Sequence, residues 1–193
     1  MRNTLWIALR FTLVTAVLLG IVYPLAVTGI AQLTMRNKAN GQLIAPNSDV
    51  IGSALIGQNF ASPRYFHGRP SAAGNGYDAA NSGGSNLAQS NAALVDRIRG
   101  AIAEYQKQNP GREVPIELVT TSASGLDPDI SPAAALYQVH TVATARLLPE
   151  STVRAAVEKH IQGRTFGMLG EARVNVLELN LDLDRRAQPL AQR

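Results

Sequence analysis

The chain has 193 residues, about one domain by length, with 18 Lys+Arg against 14 Asp+Glu and a formal net charge of +4. Charged residues make up only 17%, below the roughly 25% usual in soluble proteins, and the deficit is local: residues 1–35 hold Arg2, Arg10 and no acid, which leaves residues 36–193 with a net of +2. No Lys/Arg stripe and no cysteine is present, which argues against a phosphate-neutralising nucleic-acid surface and excludes disulfides, thiolate metal sites and cysteine nucleophiles.

From Phe11 to Met35 nothing is charged near neutral pH, a run of twenty-five residues that passes Tyr23, Pro24 and Leu33. As a helix it would reach about 37 Å, more than the roughly 30 Å of a bilayer core. It is apolar on every face, unlike the buried helix of a soluble domain. Pro24 removes a backbone donor and predicts a kink, which a membrane helix tolerates. A cleaved signal peptide would have a shorter core and a small-x-small site, and Ala26-Val27-Thr28 matches poorly. The reading is a retained anchor over residues 1–35. The amino terminus, Arg2 and Arg10 face Arg36 and Lys38 across it, a slight positive bias that puts the N-terminus inside and residues 36–193 outside the cytoplasm.

The rest reads as one small α+β domain. Val50–Ile56 is a strand candidate, with Gly52 and Gly57 as punctuation. Residues 62–70 crowd Arg64, Tyr65, Phe66, His67 and Arg69 between prolines, either as a binding surface or with the aromatics capping a core. Residues 70–90 are rich in Gly, Ser, Asn and Ala and predict a flexible linker or a loop docked on a partner. Within it Ser82-Gly83-Gly84-Ser85 could offer amides to an anion, although a plain turn explains it as well. Leu87–Gln108 predicts a helix with Leu94, Val95, Ile98, Ile102 and Tyr105 on one face. Val114–Val119 predicts a short strand.

Ser131 and Pro132 predict a helix start, followed by a helix to about Leu147. Pro149 opens a third helix with Gly163 as its stop. Arg173–Asp184 alternates, with Leu177, Leu179, Leu181 and Leu183 on one face, and predicts a strand. Residues 185–193 read as a frayed tail. Asp127 and Asp129 lack the further ligands of a calcium loop, so no metal site is expected. Ser122 and Ser124 could serve as nucleophiles of a membrane-anchored hydrolase, but they lack the Gly-x-Ser-x-Gly frame; hydroxyls in such loops usually satisfy backbone amides. A generic anchored binding domain is the plainer alternative. There is no Walker A, no phosphorylatable Asp-Lys-Thr-Gly, no His-Glu-x-x-His and no second span. One helix makes no pore, so the expected role is an accessory one.

Several segments together resemble the KdpC family, the small subunit of the bacterial high-affinity potassium-transporting P-type ATPase. They are Tyr23-Pro24, residues 52–60 (GSALIGQNF), 65–72 (YFHGRPSA), 82–87 (SGGSNL), 119–132 (VTTSASGLDPDISP) and 173–180 (RVNVLELN), in order along nearly the whole chain. The resemblance implies a non-catalytic subunit of an ATP-driven potassium uptake pump, single-pass in the bacterial inner membrane. Its implied partners are a potassium-channel-like subunit, a P-type ATP-hydrolysing subunit that carries the phosphorylated Asp, and a small single-span subunit. ATP and K+ are then handled by the complex, with no cofactor of this chain's own. The family is also described as a catalytic chaperone that raises the ATP affinity of the hydrolysing subunit, with Ser82-Gly83-Gly84-Ser85 likened to the signature loop of ABC transporters. A domain outside the cytoplasm would not meet ATP. The expectation is therefore docking on the outer face of the potassium-translocating subunit, with Arg64, Tyr65, Phe66 and Arg69 supplying surface.

Overall fold

The computed structural model describes residues 2–45 and 49–187. It divides into two compact units, Met1–Leu43 and Ile44–Arg193.

In the first unit, α1 (Arg2–Val17), a π turn (Leu18–Val22) and α2 (Tyr23–Thr34) form a helical run of 33 residues with its apolar side chains exposed. Phe11, Tyr23, Pro24 and Leu33 are all exposed on it. The π turn is where Pro24 acts. Proline lacks an N–H and its ring crowds the carbonyl four residues back. The helix widens just before it, and the Tyr23 N–H donates to the Leu18 carbonyl. Thr15 and Thr34 turn their hydroxyls back onto the carbonyls of Phe11 and Ile30, both at 2.8 Å, so neither hydroxyl needs water. The short α3 (Arg36–Ala39) follows.

The second unit mixes helices with very short strands, as expected of an α+β domain. Strand β1 (Leu43–Ile44) precedes it, and β2 (Gly52–Ser53) is all that forms of the strand expected over Val50–Ile56. Helix α4 (Ala92–Gln108) starts five residues later than the apolar pattern suggests. Asn91 caps it, its carboxamide oxygen accepting the Ala93 N–H at 2.9 Å. Strand β3 (Asp129–Ile130) runs into α5 (Pro132–Arg146), where the Ser131 hydroxyl accepts the Ala134 N–H as expected from its sequence. Helix α6 (Glu150–His160) passes directly into β4 (Ile161–Gln162), so it stops before Gly163. Strand β5 (Arg173–Asn175) pairs antiparallel with both others in the order β3-β5-β4, with Val174 opposite Ile130 and Ile161. Helices α5 and α6 pack together around Val139, Val142, Val153 and Val157, and Phe66, Ile130 and Val174 join the same core.

Two predicted strands are helical. Ile116–Leu118 is a 3₁₀ turn, because the N–H groups of Leu118, Val119 and Thr120 bond back to Pro115 and Ile116 rather than across to a neighbour. Arg173–Asp184 stays extended only to Asn175 and then becomes α7 (Val176–Ala187). The Asn175 side chain accepts the Glu178 N–H at 3.1 Å and so caps the turn. Alternating leucines satisfy a strand, but the buried residues of α7, Val176, Leu177, Leu179, Asn180 and Leu183, follow the spacing of one helix face. Of the expected tail, Arg185 and Arg186 belong to α7, and residues 188–193 lie outside the described residues.

The two registers make opposite claims about Leu181, which is only half-buried while Leu179 is fully buried. Leu179→Ala should lower stability by about 2–5 kcal/mol and Leu181→Ala by clearly less. Thermal melts of the full chain in detergent check this, and equal losses would restore the strand.

Candidate functional site

The residues singled out in the sequence converge on one face of the second unit, where segments 57–85 and 119–131 lie against each other. The anchoring begins under residues 66–67. The Asn180 carboxamide oxygen accepts the Phe66 N–H at 2.8 Å, and its nitrogen donates to the Phe66 carbonyl at 2.9 Å. Gln138 repeats the pattern on His67, at 2.8 and 3.1 Å. Two side-chain amides thus take the place of a neighbouring strand. All four backbone groups are satisfied although no sheet reaches them. Buried Asn180 and Gln138 were not singled out in the sequence; the strand reading of Arg173–Asp184 put Asn180 opposite the leucines, and Gln138 is a polar residue in a helix.

Phe66 is fully buried, which removes it from the expected docking surface. Tyr65 is half-buried: its ring lies 5.0 Å from the Arg146 guanidinium and 5.3 Å from the Phe60 ring, and its hydroxyl donates to Asp184. Arg146 is itself buried, bonded to the Arg64 carbonyl and paired with Asp184 at 2.9 Å. The Arg64 side chain is exposed.

Arg69 faces inward. It donates to the carbonyls of Thr120 and Thr121 and pairs with Asp127 at 3.3 Å, clamping the second segment. The Tyr77 hydroxyl donates to the Arg69 carbonyl. Burial, then the charge of Asp127, pushes the Tyr77 phenol up to about 12, so it stays protonated. Burial lowers the His67 imidazole below its usual range, opposed by its bond to the Ser62 carbonyl.

The Gly/Ser-rich stretch is docked rather than free. Ser71 donates its hydroxyl to the Gly125 carbonyl at 2.6 Å and accepts the Tyr77 N–H at 2.7 Å. The Gly83 N–H and the Ser82 hydroxyl both donate to the Ser124 carbonyl at 2.9 Å. Gly84 lies against Ala123, and Ser85 is half-buried. An anion cradle needs free, convergent amides. Here the Gly83 amide is already spent inside the protein.

Ser122 and Ser124 are turn residues. The Ser122 hydroxyl accepts the Gly125 N–H at 2.9 Å, and that of Ser124 accepts the Leu126 N–H at 3.1 Å. The histidines bond elsewhere: His67 to Ser62, His140 to Glu150, His160 to Ala156. Among the described residues no histidine bonds the hydroxyl of Ser122 or Ser124. Asp127 and Asp129 diverge, one toward Arg69 and the other toward Arg173 at 3.1 Å.

A Cβ on Gly125, whose φ is +67, would sit 2.7 Å from the Ala73 nitrogen and the Gly83 oxygen. Gly125→Ala therefore both strains the turn and wedges the two segments apart. Limited proteolysis should cut within residues 71–85 of this variant much faster than in the parent. The phenol makes a second prediction. Raised above its ordinary value of 10 in the fold, Tyr77 leaves stability unaffected below pH 10 and removes it as pH climbs toward 12, because only the unfolded chain ionises readily. Tyr77→Phe should flatten that alkaline decline in melts taken between pH 9 and 12.

The profile of one protein family, described as "KdpC: K+-transporting ATPase, c chain", matches residues 5–185. Among curated proteins the chain is 54% identical over 184 residues to the potassium-transporting ATPase KdpC subunit of Koribacter versatilis, covering 95% of each. It is 54% identical over 176 residues to that of Caulobacter vibrioides, covering 91% of this chain and 89% of that one. It is 49% identical over 199 residues to that of Methylobacterium nodulans, covering 97% of each.

Proposed function

The chain belongs to the KdpC family of potassium-transporting ATPase subunits, and from that premise we propose that it is a non-catalytic accessory subunit that assembles and stabilises the pump. The observation that carries the reading is that the candidate reactive groups are engaged in hydrogen bonds within the protein. Ser122, Ser124 and the Gly83 amide are spent on holding segments 71–85 and 119–131 together, and each histidine bonds away from the two serines. A body built this way offers shape to a partner rather than chemistry to a substrate.

The partners are the channel-like subunit, the ATP-hydrolysing subunit with the phosphorylated Asp, and the small single-span subunit. The anchor over residues 1–35 lies in the inner membrane with its N-terminus in the cytoplasm, and residues 36–193 lie in the periplasm against the outer face of the potassium-translocating subunit. Three positive charges before the span against two after it support this orientation. ATP is then bound by the hydrolysing subunit alone, and any effect of this chain on ATP affinity passes through the complex. The Ser82-Gly83-Gly84-Ser85 loop is structural in this reading, and Arg64 and the exposed edge of Tyr65 are the docking groups of their segment.

Purification in mild detergent through a tag on this chain should recover the larger subunits, and deleting the chain should lower the potassium-stimulated ATPase activity of what remains. A reporter that works only in the periplasm, fused after Arg193, should be active. Intact complex and full activity without the chain would sink the assembly role; an active cytoplasmic reporter would reverse the orientation.

A further inference from the structure

Residues 161–171, between α6 and β5, are exposed without interruption. They form a hairpin that projects from the second unit, and its tip is apolar: Phe166 is 86% exposed, Met168 77% and Leu169 61%. Single exposed apolar side chains are ordinary, but three clustered on one turn mark a contact surface.

The tip is also preformed. Thr165 and Leu169 exchange two backbone hydrogen bonds, both 2.9 Å, and the Gly167 N–H donates to the Arg164 carbonyl at 3.0 Å. At the base one guanidinium nitrogen of Arg164 lies 2.9 and 3.0 Å from the two oxygens of Glu171. Phe166 holds a left-handed φ of +54, a conformation that costs an aromatic residue energy. That backbone cost serves only to hold the ring outward, where water gives nothing in return. Strain, pre-organisation and an apolar anchor together are the features of a residue that gains its energy on a partner.

The charges choose the partner. Binding to an anionic bilayer surface relies on unpaired Lys or Arg beside the apolar groups. Arg164 is paired with Glu171, and Arg173 at the hairpin's end is paired with Asp129. The prong is electrically neutral and complements an uncharged apolar pocket. We propose that the tip Phe166–Leu169 is a plug that seats in such a pocket on another protein subunit of the ATPase. The proposal rests on the assembly reading above and adds the anchoring element to it.

The chain has no cysteine, so a single one reports one position. Met168→Cys is labelled with a charged maleimide in the chain alone in detergent, in the chain alone in phosphatidylcholine–phosphatidylglycerol vesicles, and in the purified complex. Arg99→Cys on α4, whose native side chain is 76% exposed, serves as reference in each state. Relative to that reference, labelling at 168 should be fast in both isolated preparations and at least about tenfold slower in the complex. Equal labelling in the complex overturns the plug while leaving the assembly reading intact, since the complex was isolated through this chain. Protection in vesicles alone assigns the tip to lipid, and protection in detergent alone assigns it to a second copy; either overturns the proposal. Failure of the parent chain to recover any complex counts against the assembly reading instead. Phe166→Ser with Met168→Ser should lower recovery of the complex while leaving the melting temperature of the isolated chain unchanged. Undiminished recovery would overturn the proposal.

Discussion

The second unit depends on two carboxamides. Its longest strand has three residues, so the sheet supplies few of the backbone hydrogen bonds that a domain of this size must satisfy. Asn180 on α7 and Gln138 on α5 make up the deficit at the point where it matters most, under Phe66 and His67. Each grips the N–H and the carbonyl of one residue, as a neighbouring strand would. An unmade hydrogen bond on a buried backbone group costs roughly 1–3 kcal/mol. The Phe66 side chain enters the core only because its own N–H and carbonyl are satisfied beside it.

Everything outward of that point inherits its position. With His67 fixed, Arg69 reaches the carbonyls of Thr120 and Thr121 and the carboxylate of Asp127. Its own carbonyl then receives the Tyr77 hydroxyl, and Tyr77 turns its N–H to Ser71. Ser71 in turn reaches Gly125, and Ser82 and Gly83 reach Ser124. A stretch whose composition predicts a free linker is ordered because its many small side chains permit close approach. The wedge that a Cβ on Gly125 would drive between Ala73 and Gly83 shows how little room remains.

The long apolar helix, the cap of α5 and the leading edges of α5 and α6 were legible because each rests on a local signal: an unbroken apolar run, Ser before Pro, a turn proline. What was not legible depended on distant partners. The alternation of Leu177 to Leu183 carries two periods at once, and only the neighbours of Asn180 decide between them. Val114–Val119 has the composition of a strand but no strand beside it. The site residues were partly legible in the same sense. Residues 64–69 stand out by composition, but nothing local distinguishes an inward-facing Arg69 from an outward-facing Arg64. Phe166, Met168 and Leu169 passed unremarked, since an apolar residue in a loop announces itself only when its burial is known.

The low charge content also acquires a physical meaning. Arg69–Asp127, Arg146–Asp184, Lys159–Asp182 and Arg173–Asp129 each join segments far apart in sequence. Exposed pairs contribute about 0–1 kcal/mol each, so they fix geometry more than they add stability; Arg146, buried against Tyr65, is the exception. Arg146 is withdrawn from solvent altogether, while Lys159 and Arg173 keep more than half of their side chains in water. The charges that stay outside lie mainly on α4 and α6, at Asp96, Arg99, Glu104, Lys107, Arg154 and Glu158, while the hairpin tip carries none. A domain that commits its loop serines and these ion pairs to its own segments is built to be held in place, and the neutral, pre-set turn at Phe166 is the part of it shaped to hold.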